Sequence, residues 1–258
     1  MAKTISIFGL DKIPLVKPGD DVAQLIFDAA STERIQLLDG DVIVISQKIV
    51  SKADGLLVDI TKVKALARAK SIAKRTAKDS RLIQLILGDS TKILRADSQT
   101  LIVRRKNGFI CLNAGVDKSN VNGRLVYARL PEDADRSANE IRKKLEELSG
   151  RSLGVVVGDT YSRPFRVGQV EFAIGVAGIE PLVDYRGLKD LFGYRLKYKF
   201  VGLADEIAAA SELVMGQGTE RTPVAIVRGL TRLKRSEAKN LSAKLSLRKR
   251  PDLFREML

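Results

Sequence analysis

Two aspartates stand out as groups able to do chemistry. Asp117 lies in the polar segment NAGVDKSN, and Asp159 ends the apolar run LGVVVGDT. An aspartate in a turn commonly bonds its own backbone, which is the ordinary reading of Asp117. An acid that terminates a run of buried valines is a stronger functional signal. The chain has 258 residues and no histidine, so it lacks the commonest general base and the commonest ligand of zinc, copper and non-haem iron. Serine-histidine and zinc hydrolysis are excluded. Any metal must be held by oxygen from Asp, Glu, Asn, Gln, Thr or backbone carbonyls, which points to magnesium or manganese, ions that usually arrive with phosphates.

Four polar clusters stand at the ends of apolar segments: Gln47 to Lys52, Asn113 to Asn120, Asp159 to Gly168, and Met215 to Thr222. The chain contains no G-x-x-x-x-G-K-[ST], and no G-x-G-x-x-G follows a strand, so a bound nucleotide uses a less common cradle. The single cysteine, Cys111, sits in the apolar run FICL and reads as a buried, inert thiol with no histidine to activate it.

The elements that must position these clusters follow from the hydrophobic pattern. The segment DGDVIVISQKIVSKADG turns at Asp39-Gly40-Asp41, runs apolar from Val42 to Ile45 and breaks at Ser46, which predicts a buried strand ending in a polar loop. Between residues 62 and 94 apolar residues recur at helical spacing and predict two helices. Asn107-Gly108 between strand-like residues is the strongest hairpin signal, and its second strand leads into NAGVDKSN. Ser137-Ala-Asn-Glu140 has capping-box spacing, and Ser149-Gly150 stops that helix. LGVVVGDT needs both faces covered. QVEFAIGVAGIEPLVDYRG reads as strand and loop, ADEIAAASELVMG as a helix with Asp205 and Glu206 in its first turn, and TPVAIVRGL as a buried strand. The fold class expected is α+β, with mixed sheets and covering helices.

Lys plus Arg is 45 and Asp plus Glu is 31, a net charge of +14 that favours anionic partners. Lys62, Lys64, Arg68, Lys70, Lys74, Arg75, Lys78 and Arg81 stand against only Asp79, and a second basic excess follows Arg228. Solvated helix faces explain them, and nucleic-acid binding is disfavoured by the absence of tryptophan and by 5% aromatic residues. No apolar run reaches the roughly 20 residues that span a bilayer, and the start lacks a signal-peptide pattern, so a cytoplasmic protein is expected.

In order along the chain, QKIVSKADG, NAGVDKSN, GDTYSRPFRVG and LADEIAAASELVMGQG, with the early IPLVKPGDD and the closing RPDLFR, resemble the motif series of the F420-0:γ-glutamyl ligase family. The resemblance implies one ligase domain over 1–258, divided into two intertwined subdomains, working as a cytoplasmic homodimer. It implies GTP-dependent addition of L-glutamate to the lactyl carboxylate of coenzyme F420-0 through an acyl phosphate, and addition of further γ-linked glutamates. A γ-glutamate ligase for another acid, such as a folate-like compound, and a basic nucleotide- or nucleic-acid-binding protein without turnover are the alternatives.

Carried over position by position, the family's divalent-ion residues fall on Asp117 and Asp159, with Thr160 and Gln217 at a second magnesium or manganese ion; a potassium ion is also implied. The GTP positions fall on Lys12, Ile13, Pro14, Leu15, Gln47, Lys48, Lys52, Asn120, Met215, Gly216, Gln217, Gly218, Thr219, Glu220, Arg221 and Thr222. Lys52 suits a terminal phosphate, and Gly216 and Gly218 suit close backbone approach to phosphate oxygens. Arg163 and Arg166 suit an anionic substrate. Asp205 and Glu206 are candidates for a metal or for the proton of the incoming amine, and helix-dipole stabilisation explains them equally well.

Overall fold

The computed structural model describes residues 3–98, 100–163, 165–231 and 233–246; the closing RPDLFR lies outside the described residues. First come β1 (Ser6–Leu10), α1 (Val22–Thr32), β2 (Val42–Ser46) and α2 (Gln47–Ala53). Next are β3 (Leu57–Asp59), α3 (Ala67–Thr76), α4 (Ser80–Gly88), β4 (Ser90–Ala96), β5 (Leu101–Arg105), β6 (Ile110–Leu112) and β7 (Val126–Ala128). They are followed by α5 (Ala134–Ser149), β8 (Gly154–Ser162), β9 (Gln169–Ile179), β10 (Val183–Asp184), β11 (Phe200–Val201), α6 (Leu203–Met215), β12 (Val224–Arg228) and β13 (Arg235–Ser236). The class is α+β with mixed sheets and covering helices, as expected.

Two compact units divide the described residues, the first built from 3–16, 20–50 and 133–245, the second from 17–19 and 51–132.

The first unit is built on a six-stranded sheet in the order β1-β12-β2-β8-β9-β13. Only β2 and β8 run parallel, and they read as near-continuous apolar runs because both of their faces are covered. Val42, Val44 and Val156 pack with Ala204, Ile207 and Ala208 of α6. The alternate residues Ile43, Ile45, Val155 and Val157 are buried on the other face. There α5 packs against β8 and β9.

Helix α5 starts one turn before the capping-box spacing suggests. Asp133 takes the cap by accepting the Arg136 N–H at 2.9 Å, so Ser137 is already inside the helix. Gly150 ends it in the left-handed region, φ 66°, where glycine carries no Cβ penalty.

A side chain at Gly175 of β9 would place its Cβ 2.3 Å from the carbonyl oxygen of Ala134, the first residue of α5. Gly175→Ala should therefore cost about 2 kcal/mol by overpacking, read as a lowered urea midpoint at unchanged m-value. A midpoint equal to wild type would show that α5 does not seat so closely on β9.

The second unit holds the two-stranded β3-β7 ladder and the three-stranded β4-β5-β6 sheet, with α3 and α4. Its core gathers Ala69, Ile72, Ile83, Ile86, Leu101, Val103, Ala114 and Val116. The Asn107-Gly108 hairpin joins β5 to β6, and both expected helices form, but the helical pattern ends at Gly88 and residues 90–96 are strand β4. Cys111 is buried, as expected of an inert thiol. Helix α3 turns Ala69, Ile72 and Thr76 inward and leaves Arg68, Lys70, Lys74 and Arg75 exposed. No helix among the described residues is long and apolar enough to cross a membrane.

Candidate active site

Strand register brings the starts or ends of three of the four polar clusters, and residues 12–15 with them, to one edge of the six-stranded sheet, whereas Asn113 to Asn120 belong to the second unit. Ser46 at the end of β2 pairs with Gly158 of β8, so Gln47 and Asp159 leave this parallel pair at the same end. Strand β12 runs antiparallel to β2, with Val224 opposite Ile45, and the Ser46 N–H donates to the Pro223 carbonyl at 2.9 Å. Residues 216–222 therefore enter the sheet at that edge. Strand β1 runs antiparallel to β12, with Leu10 opposite Val224, so residues 12–15 leave it there too. Gly9 lets the Thr222 methyl close against β1, since a Cβ there would sit 2.6 Å from it.

Each expected residue has a definite place. Lys12 and Pro14 are exposed and Leu15 is 75% exposed, whereas Ile13 is buried and packs. Gln47 and Lys48 are buried at the start of α2, a helix where the sequence pattern suggested a loop. Lys52 follows Lys48 by four residues and so lies on the same face of α2. Strand β8 does not stop at Asp159 but continues to Ser162, pairing Asp159 with Phe172 and Thr160 with Glu171 of β9. Arg163 and Arg166 lie in the connection to β9, where Arg166, Val167 and Gly168 are exposed.

The connection after α6 is held by its own carboxylates. Met215 is buried, and Gly216 closes the helix by donating its N–H to the Glu212 carbonyl at 2.9 Å. The Gly218 N–H donates to Glu220 Oε2 at 2.7 Å. Both glycine N–H groups expected near phosphate oxygens thus have internal acceptors, and at Gly218 that acceptor is itself an anion. Thr219, Glu220 and Arg221 are exposed, and Arg221 has a φ of 59°.

The residue that the sequence reading missed is Glu171. It is 3% exposed, and its Oε1 approaches Gly158 so closely that a Cβ there would lie 2.4 Å away. The Glu171 N–H donates to Glu212 Oε2 at 2.9 Å, and Gln217 donates from Nε2 to Glu212 Oε1 at 2.9 Å. Burial, reinforced by the charges of Asp159 and Glu212, pushes the Glu171 carboxyl up to about 8, and a hydrogen bond from Gln217 holds it back. The signal was present in the sequence as a lone carboxylate inside the apolar tract QVEFAIGV.

Asp205 accepts the Ala173 N–H at 3.0 Å and so ties the start of α6 to β9; burial raises its pKa. Glu206 is exposed beside it. Glu212 follows Glu206 by six positions, a rise of roughly 9 Å along the helix, so Glu206 stands at the far end of α6 from Gln217.

In the second unit, Asp117 shows the turn geometry of the ordinary reading. Its Oδ1 accepts the N–H groups of Lys118 at 2.6 Å and Ser119 at 3.0 Å, and its Oδ2 accepts the Ser119 hydroxyl. Its backbone is bridged to Ala128. Just before it, Asn113, Ala114 and Gly115 take φ values of 51°, 56° and 71° in succession. Left-handed backbone at two non-glycine residues costs of order 1 kcal/mol each and gathers at functional loops. Asn120, also left-handed, is exposed.

Oxygen donors dominate the edge: the carboxylates of Asp159, Glu171 and Glu212, the Thr160 hydroxyl and the Gln217 amide. Among the described residues no group of three or more His, Cys, Asp or Glu side chains is arranged to hold a metal. Carboxylate, hydroxyl and amide oxygens are the kinds of donor a hard divalent cation takes.

Residues 11–229 match the family described as F420-0:Gamma-glutamyl ligase. Proteins named Coenzyme F420:L-glutamate ligase are similar over most of the chain. The one from Methanothermobacter thermautotrophicus is 46% identical over 225 residues, covering 87% of this chain and 89% of the relative. That from Methanopyrus kandleri is 45% identical over 224 residues, covering 86% of each. That from Methanocaldococcus jannaschii is 39% identical over 229 residues, covering 88% of each. A match over this span, with the polar segments brought to one sheet edge, makes the chain a member of the F420-0:γ-glutamyl ligase family.

Proposed function

We propose that the protein is a GTP-dependent ligase that joins the amino group of L-glutamate to the lactyl carboxylate of coenzyme F420-0. The observation that carries this reading is the convergence of residues 12–15, 47–48, 159–160 and 216–222 on one edge of the six-stranded sheet. In sheets covered by helices, such edges are where ligands bind.

A carboxylate is a poor acyl donor to an amine. Its oxygen first takes the γ-phosphoryl group of GTP, giving an acyl phosphate and GDP. The glutamate nitrogen then attacks the acyl carbon, phosphate leaves, and the nitrogen gives up its proton to form a neutral amide. The protein's part is to place anions beside one another and offset their charge. Lys48 and Lys52, on one face of α2, approach the phosphates, and Arg163 and Arg166 hold the substrate carboxylate. On the family pattern Asp159, Thr160 and Gln217 would hold divalent ions, which would supply charge neutralisation to the transferring phosphoryl group. Glu220 must give up the Gly218 N–H before a phosphate oxygen can use it.

Incubation with coenzyme F420-0, L-glutamate, GTP and manganese should yield a product heavier by one glutamyl unit, or by several if the chain is extended. Mass spectrometry reads the number, and parallel arms with ATP, or with a folate-like acid, test the nucleotide and the acceptor. No mass gain in the first arm would sink the proposal.

A further inference from the structure

The exposed cations of this chain differ in company. Arg95 is paired with Asp97, Arg136 with Glu140 and Arg186 with Asp184, each acid close by in sequence. Along α3 of the second unit no acid answers. Lys64, Arg68, Lys70, Lys74, Arg75 and Lys78 make no ion pair or side-chain hydrogen bond among the described residues. Asp79, the one acid between residues 62 and 81, is taken by Arg81.

With about 3.6 residues per turn, Ala69, Ile72 and Thr76 face the core and Ala67 and Ser71 stand opposite them. Lys70 and Lys74 lie on one side of that small-residue strip, Arg68 and Arg75 on the other. Folding does not ask for this arrangement. Lys70 and Lys74 are like charges four residues apart, which weakens a helix, and Arg68 stands in the first turn, where the helix dipole disfavours a cation. An anion laid along the face would offset both.

The face also selects among anions. Arg68 to Arg75 cover roughly 10 Å of helix, with Lys64 and Lys78 beyond either end, too long a row for one phosphate or carboxylate. Leu66 is the one large apolar side chain exposed between residues 62 and 78. The face therefore lacks both the apolar stripe that enters a membrane and the aromatic anchors of a protein interface. Nor has it an aromatic ring on which the bases of a single strand could stack. A duplex keeps its bases stacked inside and presents one charge per roughly 1.7 Å of axis, so this length of helix would meet about six phosphates.

We propose that the exposed face of α3 is a docking surface for the phosphate backbone of duplex DNA, bound through charge and without reading sequence. The inference is independent of the ligation proposed above.

The test is fluorescence anisotropy of the full chain with labelled duplexes of about 20 base pairs, between about 50 and 200 mM KCl. Wild type should bind two unrelated sequences equally, and its affinity should fall with salt at a log–log slope of about 3 to 4. The variant carrying Arg68→Gln, Lys70→Gln, Lys74→Gln and Arg75→Gln should bind at least about 30-fold more weakly at the lowest salt, with a slope of about 1 or less. Glutamine has nearly the helix propensity of lysine and arginine, so circular dichroism should be unchanged. A control removes the same charge from exposed positions of the first unit, through Lys189→Gln, Arg195→Gln, Lys197→Gln and Lys199→Gln. It should stay within about threefold of wild type. An equal loss in the control would overturn the inference, by assigning the binding to net charge alone. No binding by wild type, tighter binding of a single strand than of the duplex, or displacement of the duplex by poly-glutamate at equal charge would each overturn it too.

Discussion

Replacing Glu171 by glutamine should stabilise the chelator-treated protein at pH 8.5 by about 3 kcal/mol and remove a fall in stability that wild type shows between about pH 4.5 and 8. The folded protein holds the Glu171 proton up to about pH 8, whereas the unfolded chain releases it near the ordinary value of 4.5. Between those values the folded state carries more protons than the unfolded state. Raising the pH therefore favours unfolding, and the contribution is complete only below the unfolded value. The full displacement corresponds to more than 3 kcal/mol, but the opposing charges of Asp159 and Glu212 are partly exposed and screened. Urea denaturation at pH 5.5, 7 and 8.5 in EDTA separates the outcomes. Parallel pH profiles for wild type and Glu171→Gln would show that Glu171 is ionised in the folded state as in the unfolded chain.

Asp159→Asn should lower turnover by at least about a thousandfold while the protein stays folded, since asparagine lacks the charge with which the Asp159 carboxylate would hold a divalent ion. Asparagine has nearly the same shape, and the backbone pairing of Asp159 with Phe172 does not involve the carboxylate. Circular dichroism and the melting temperature should match wild type to within a few degrees. One further effect should accompany the loss. Asp159 is among the charges raising the Glu171 pKa, so its neutralisation should lessen the pH-dependent destabilisation described above. The two substitutions should therefore be non-additive in stability at pH 8.5. Retained turnover would remove Asp159 from the chemistry.

The sequence foretold much of the first unit, because its strands and helices carry single-minded patterns. The valines of β8, the apolar run of β2 and the acidic start and glycine stop of α6 each allow few alternatives. Boundaries failed where two signals competed. Asp133 outbid Ser137 as the cap of α5, and the polar residues after Ser46 form a helix that periodicity over so short a stretch cannot separate from a loop. The positions expected to bind nucleotide were readable as polar residues at strand ends, but their gathering on one edge depends on β12 lying between β1 and β2, a long-range pairing. Glu171 was passed over for a related reason. Its neighbours in sequence are apolar, while the groups that give it chemical character, Asp159 and Glu212, come from β8 and α6.

The pairing order also sets when this edge can exist during synthesis. Strand β1 is made first, yet its neighbour in the sheet is β12, more than two hundred residues later. A ribosome-bound chain can form the parallel β2-β8 pair and the β8-β9 hairpin early, but residues 12–15 have no partner strand until β12 emerges. Fragments that end before Val224 should retain much of the helix and lack the complete edge.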